Sequence, residues 1–199
     1  MKKIVSLMML LLLFVAGQCY AQSKSELAKE KREAREEQRK KEREQREKLQ
    51  EKQDSLNFVA ALMAIEQKAF TLEADQVIFR NGQSAFVNSN TNFVSLDDDK
   101  AVVQVAFNVP SSGLNGLGGV TVNGTLTQYQ IKRDNEGNVF VTMGVMGAAI
   151  SAQIFISLPY GTNQATVDIN PNFNSYTLTL QGTLLPIEQS DVFKGFSVF

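Results

Sequence analysis

The sequence predicts an all-β domain, an antiparallel meander of about eight strands that forms a barrel or a sandwich. A long charged helix and a short amphipathic helix precede it. From Phe70 onward apolar residues recur with a period of two, and turn residues interrupt them roughly every 10 to 15 residues, which predicts strands. Residues 24–69 contain neither glycine nor proline, which predicts helix there.

The first 21 residues have the pattern of a secretory signal peptide. Lys2 and Lys3 form a basic start, and residues 4–16 are almost entirely apolar. A small residue, Ala21, precedes Gln22, so we expect cleavage between these two residues. The apolar run is short for a bilayer span. The sequence therefore predicts a periplasmic or secreted protein.

Cys19, the only cysteine of the chain, offers an alternative. It would be the acylated residue of a lipoprotein, but Gln18 stands where that processing requires a small residue. Cleavage after Ala21 removes this cysteine, so the domain must be stabilised by a hydrophobic core and not by disulfides. Residues 55–199 are enough for one such domain.

Residues 22–54 form a charged spacer, helical or disordered. Residues 24–54 contain 12 basic and 10 acidic side chains. Glu, Lys, Arg and Gln favour helix, whereas so high a charge with so few apolar residues also fits disorder. No heptad seam is present, which argues against a helical dimer. Because the net charge is near zero, we expect no simple capture of a polyanion.

A short amphipathic helix is predicted over residues 56–69. Leu56, Val59, Ala60 and Met63 follow a helical stripe. Further apolar residues widen this stripe into a face that we expect to pack on the strands: Phe58, Leu62 and Ile65. We expect Asp54 or Ser55 to cap this helix. Ser55 also lies in a short pattern that resembles an O-glycosylation acceptor.

Strand patterns follow in order. Each has apolar residues at alternate positions: Val103, Val105, Phe107 and Val109; Val139, Val141, Met143 and Val145; Ile150, Ala152, Ile154, Ile156 and Leu158; Ala165, Val167 and Ile169; Tyr176, Leu178 and Leu180. Four further apolar residues, Ala106, Phe140, Met146 and Phe155, fall on faces that should be polar, and we expect the short helix to cover them.

The composition argues against most enzymes. The chain has no histidine or tryptophan and no cysteine after Ala21, which excludes Ser-His-Asp and Cys-His nucleophiles and histidine zinc sites. Asp168, Glu73 and Asp75 are the carboxylates that the pattern explains least. A third hypothesis, an enzyme, would have to use such carboxylates or Tyr129 and Tyr176. We read the carboxylates as solvent-facing strand residues. No catalytic, cofactor-binding or metal-binding residue is predicted, and no cofactor.

Three loops resemble functional motifs. Residues 113–119 are glycine-rich but lack the lysine and the following helix of a phosphate cradle, so we interpret them as a hairpin loop. Their leucines, Leu114 and Leu117, form a candidate contact loop. Residues 134–138 and the Asp97–Asp99 turn weakly resemble calcium loops; we read the first as a tight hairpin.

Short motifs along residues 56–199 resemble the domain of unknown function 4251 family of exported Gram-negative bacterial proteins. They are FTLEADQV (70–77), NFVSL (92–96), AVVQVAF (101–107), LQGTL (180–184) and VFKG (192–195). The resemblance implies an all-β exported domain and brings no catalytic or binding residues. The charged segment at 24–54 is additional to it.

Two functions fit these observations. The first is an exported, non-enzymatic cell-envelope protein, a β-domain that serves as a binding or structural module for an unknown envelope partner. The alternative is a carrier of a lipophilic ligand inside a barrel, with Met143 and Met146 as candidate ligand-facing residues. Nucleic acid is not expected as a partner, because residues 55–199 carry 6 basic against 11 acidic side chains.

Overall fold

The computed structural model describes residues 2–106, 119–148, 151–172 and 177–195, with side chains from residue 29 onward. The described residues form one long helix, nine strands and a short 3-10 helix. The elements are α1 Lys2–Glu66, β1 Ala69–Phe79, β2 Ser84–Phe86, β3 Phe93–Asp97, β4 Lys100–Ala106, β5 Gly119–Arg133, β6 Val139–Met146, β7 Ser151–Leu158, β8 Gln164–Pro171, β9 Leu178–Pro186 and η1 Ile187–Gln189.

Eight of the described strands close into an antiparallel barrel, which confirms the predicted fold class and selects the barrel. Each strand from β3 to β9 pairs with the next, and β1 pairs with both β3 and β9. The closing ladder runs from Phe70, opposite Pro186, to Phe79, opposite Leu178. It carries a bulge at Asp75, where one residue of β1 has no partner in β9. β2 forms a short hairpin with the end of β1.

The alternating apolar residues form the core, as predicted. Along β6, for example, Val139, Val141, Met143 and Val145 are all buried. Inward side chains of the barrel strands join one contiguous buried cluster. Burying apolar surface contributes about 25 cal/mol per Å², so this cluster is the main source of the domain's stability.

The end of α1 belongs to the same core. Phe58, Ala61, Ala64 and Ile65 are buried in the cluster, and the Tyr129 hydroxyl donates a 2.7 Å hydrogen bond to the Ile65 carbonyl oxygen. Tyr129 lies in the second half of β5, so the helix residues cover the barrel end where β1 begins and β5 ends.

The predicted apolar face of this helix is correct only in part, and its predicted cap is wrong. Leu56, Val59 and Met63 keep 65%, 46% and 53% of their surface in solvent. Phe58 and Ile65, which the prediction placed at the sides of that stripe, are buried in the core instead, because residues 56–65 are apolar on both faces. Asp54 and Ser55 cap nothing, since α1 continues through them with no glycine or proline to stop it.

The helix also does not cover the outer barrel wall. Phe140, Met146 and Phe155 point outward and stay 42%, 58% and 40% exposed. Ala106 is buried, and its backbone N–H donates a 2.8 Å hydrogen bond to the Asn92 side-chain oxygen. The predicted cover is therefore wrong for these outer residues, because the helix packs on an end of the barrel.

The C-terminal segment 190–195 covers part of the outer wall instead. Phe193 N–H donates to the Asn90 carbonyl, and the Ser190 hydroxyl donates to the Glu73 carboxylate at 2.7 Å. Gln104 on β4, which the alternation places on a polar face, is fully buried beneath this segment.

The chain divides into two compact units, Met1–Gln50 and Glu51–Phe199. The first is helical, and its side chains from residue 29 on are exposed. Within the described part of the chain, no helix combines the length and apolar character needed to cross a membrane.

Candidate functional site

A pocket of about 750 Å³ opens where β1 ends and β9 begins. Its described lining residues are Phe79, Arg80, Asn81, Gln83, Thr177 and Leu178. The covering helix packs at the opposite end, where β1 begins. The pocket therefore lies at the end of the barrel away from this helix, which we call the barrel mouth. Its volume is in the range of small-molecule sites.

The floor of the pocket is a cross-strand apolar pair. Phe79 and Leu178 are direct partners in the closing ladder, and both are partly buried against the core. The next inward pair along this ladder, Val77 and Leu180, is fully buried. The pocket thus ends on the packed interior, because the layer beneath its floor is filled by side chains.

The rim of the pocket is a turn held by its own hydrogen bonds. Phe79 N–H donates to the Gln83 carbonyl at 2.8 Å, and Gly82 N–H donates to the Phe79 carbonyl at 2.9 Å. The Asn81 side chain donates to the Gln83 side-chain oxygen at 3.0 Å. Gly82 has a φ of +81°, which glycine adopts without the strain of a Cβ atom. The rim is therefore preorganised.

The chemical character of the pocket is mixed. Among its described lining residues, Arg80 is the only charged one, and it stands beside the amides of Asn81 and Gln83 and the hydroxyl of Thr177. None of these six residues is a carboxylate, thiol or imidazole. Such a lining can hold an apolar body over Phe79 and an anionic group near Arg80.

The residues singled out from the sequence do not gather at this pocket. Met143 is fully buried in the core, whereas Met146, three residues along the same strand, faces outward. The two methionines therefore lie on opposite faces of β6 and do not line one cavity. Leu114 and Leu117 lie outside the described residues, as does Tyr176. Ser55 is exposed on α1, and Ala21 and Gln22 lie within the backbone range of that helix.

The candidate carboxylates make structural contacts. Asp168 on β8 accepts a 2.5 Å hydrogen bond from the Thr179 hydroxyl on β9. Glu73 accepts hydrogen bonds from Ser190 and from the Asp191 backbone, which anchors the C-terminal segment. Asp75 occupies the bulge in β1. Each of the three thus lies on the barrel wall in a structural setting.

The loops that resemble calcium sites are turns. Asp134 accepts hydrogen bonds from the backbone N–H groups of Glu136 and Asn138, and the Asn138 amide lowers the pKa of its carboxyl below the usual range. Asp98 adopts a left-handed conformation at a turn, and Asp99 pairs with Lys68 at 3.7 Å. Among the described residues, no three acidic or sulfur side chains cluster closely enough to hold a metal ion.

Tyr129 is held in place by burial. Desolvation raises the pKa of its hydroxyl well above the usual value, and the hydroxyl donates to the end of α1. The Lys68 ammonium lies 5.8 Å from the centre of its ring. The hydroxyl group is committed to the helix contact, so its role is structural.

Sequence reasoning missed the mouth pocket. The Asn81–Gly82 pair predicts a turn, but a turn by itself does not indicate a binding site. The pocket forms because residues 79 and 178 become neighbours when the barrel closes, and no local pattern encodes that pairing.

Comparison with known proteins supports one family. The sequence profile described as domain of unknown function (DUF4251) matches residues 52–184. A crystal structure of a DUF4251 family protein from Bacteroides eggerthii DSM 20697 is similar to the chain, with 50% sequence identity and a TM-score of 0.63. The similarity covers 72% of this chain and 96% of that one. Comparison with curated proteins gives no match. The chain therefore belongs to the DUF4251 family.

Proposed function

We propose that this protein is an exported, non-enzymatic cell-envelope protein whose barrel binds a small amphipathic ligand at its mouth. The observation that carries the proposal is the pocket of about 750 Å³ with an apolar floor and an arginine at its rim. Export is supported by the basic start, the apolar run and the cleavage pattern before Gln22. The alternative is attachment to a membrane through an acylated Cys19.

A binding role is favoured over catalysis by the pocket lining. Its described polar groups are amides, a hydroxyl and a guanidinium, which orient a ligand through hydrogen bonds and charge. Carriage of a lipophilic ligand in the barrel interior is less favoured, because the inward side chains already pack into one cluster. The proposal therefore places the ligand above the Phe79–Leu178 pair.

Titration with two fluorescent probes tests this proposal. Anilinonaphthalene sulfonate carries an anionic group on an apolar body, and N-phenylnaphthylamine has a similar body without the charge. We expect both to bind at one saturable site. Arg80→Gln should weaken the anionic probe about fivefold, the equivalent of ~1 kcal/mol for one exposed ion pair, and leave the neutral probe unchanged.

Two matched variants separate the pocket from the rest of the surface. Leu178→Ser should weaken both probes, whereas Phe155→Ser removes an exposed outer residue and should weaken neither. Lys132→Gln makes the same charge change as Arg80→Gln on an exposed residue of β5 and should leave both probes unaffected. Thermal unfolding of each variant checks that the barrel is intact. Equal losses in the Phe155 and Leu178 variants would refute a site at the mouth.

A further inference from the structure

The five arginines of the charged segment lie in one row on α1. They are Arg32, Arg35, Arg39, Arg43 and Arg46. At 3.6 residues per turn and 1.5 Å per residue, they occupy a sector of about 80° and extend over ~21 Å along the helix. All five are exposed. We call this set the arginine row.

The acidic side chains of the same stretch gather on the neighbouring face. Six of the eight glutamates between residues 29 and 52 lie roughly 60–160° around the axis from Arg32. Three glutamates flank the row, each four residues from one of its arginines: Glu36, Glu42 and Glu47. The charges therefore cancel along the chain but not around the helix. The near-zero net charge argues against simple capture of a polyanion, but it does not describe how the charges are arranged around the helix.

The arginine row has no ion-pair partner among the described residues. The printed pairs of this stretch use lysines, Lys29 with Glu33 at 3.9 Å and Lys41 with Glu37 at 2.7 Å. Successive arginines three or four residues apart are neighbours on the helix surface and repel one another. Arg39, Arg43 and Arg46 line a shallow groove of about 490 Å³, together with Lys40 and two of the flanking glutamates, Glu36 and Glu42. An anion that follows the row would relieve this repulsion.

We propose that the arginine row binds a linear acidic polysaccharide. Each guanidinium presents a planar fork of donors that matches a carboxylate, and one fork occurs at about each turn of the helix. A narrow chain can follow the row between Glu36 and Glu42. A broad anionic surface would also meet the acidic face, which disfavours a duplex nucleic acid. A lipid bilayer is disfavoured because an interfacial helix needs an apolar face, and within residues 32–46 Ala34 is the only apolar residue.

Two full-length variants with the same loss of charge test the proposal. The row variant carries Arg35→Gln, Arg39→Gln and Arg43→Gln. The control variant removes three cations from the opposite side of the helix: Lys41→Gln, Lys48→Gln and Lys52→Gln. Glutamine has nearly the helix propensity of arginine and lysine, so helix content measured by circular dichroism should be similar in both variants.

The binding assay is calorimetric titration with oligogalacturonate, a linear chain of carboxylated sugars. We expect saturable binding by the wild type that weakens as salt is added. The row variant should lose about tenfold in affinity, since three exposed ion pairs are removed, and the control variant should lose less than about twofold. Dextran, which is uncharged, should not bind.

Three results would overturn the proposal. They are equal losses in the two variants, no binding of oligogalacturonate, and tighter binding of a single-stranded oligonucleotide or of phosphatidylglycerol vesicles than of oligogalacturonate. The mouth pocket is tested by different residues and uncharged or small probes, so failure of one proposal does not imply failure of the other.

Discussion

Replacing Gln104 with alanine should destabilise the barrel strongly, although alternation places this glutamine on a polar face. Its side chain is fully buried and makes four hydrogen bonds. The amide donates to the carbonyl oxygens of Thr91 at 3.0 Å and Phe193 at 2.8 Å. Its oxygen accepts from the Thr121 hydroxyl at 2.7 Å and from Gly195 N–H at 2.8 Å. The side chain thus ties β4, β5 and the C-terminal segment together.

The size of the effect follows from these four contacts. Each net hydrogen bond contributes about 0.5–1.5 kcal/mol, so the loss of four with Gln104→Ala should lower the free energy of unfolding by ~2–6 kcal/mol. For a chain of this size, about 2–4 °C per kcal/mol, that lowers the thermal midpoint by ~4–24 °C. Gln153→Ala is the matched control, because Gln153 is exposed on the outer face of β7. It should change the free energy of unfolding by less than ~0.5 kcal/mol.

A charged variant adds a pH test. Gln104→Glu keeps the shape but turns an acceptor toward the carbonyls of Thr91 and Phe193, and burial should raise the pKa of the new carboxyl. A folded state that holds the proton more tightly loses stability as pH rises. This variant should therefore be closer to wild type at pH 4 than at pH 7. Urea unfolding measures each free energy, and a Gln104→Ala variant as stable as the Gln153 control would refute the reasoning.

Three further perturbations have definite outcomes. Tyr129→Phe removes the hydrogen bond to Ile65 and should cost about 1 kcal/mol in urea unfolding. Since burial raises the pKa of Tyr129 in the folded state, the wild type should lose stability as pH rises above about 10, and the variant should lack this loss. A Cβ at Gly182 would lie 1.9 Å from a backbone oxygen of β1, so Gly182→Ala should lower the thermal midpoint far more than Gly144→Ala, whose Cβ meets a side chain that can rotate; equal shifts would contradict this. Deleting residues 22–50 should leave the midpoint of the barrel within about 3 °C, because side chains 29–50 are exposed, and a larger fall would contradict it.

The strands were predictable because alternation is a local property. Residues 139, 141, 143 and 145 share one face by the geometry of an extended chain, and that face is buried. Closure was not predictable, since a barrel and a sandwich give the same alternation. The choice rests on the pairing of β1 with β9, whose partner residues are 99 to 116 positions apart in the sequence.

The errors arose where tertiary contacts overrode local pattern. Residues 56–65 have apolar side chains on both faces, so periodicity could not select the Phe58–Ile65 face that the core accepts. Gln104 lies on the face of β4 that alternation predicts to be polar and exposed. The C-terminal segment, about 90 residues later in the chain, covers it. The mouth pocket was missed for the same reason, because Phe79 and Leu178 meet only after closure.

The central claim is that the barrel mouth holds a small amphipathic ligand. The most direct measurement is native mass spectrometry of the wild type and the Leu178→Ser variant, each purified gently from the cells that make it. The account predicts a small-molecule mass on the wild type that denaturation removes and that the variant lacks. A bare wild-type mass, or the same adduct on both proteins, would contradict it.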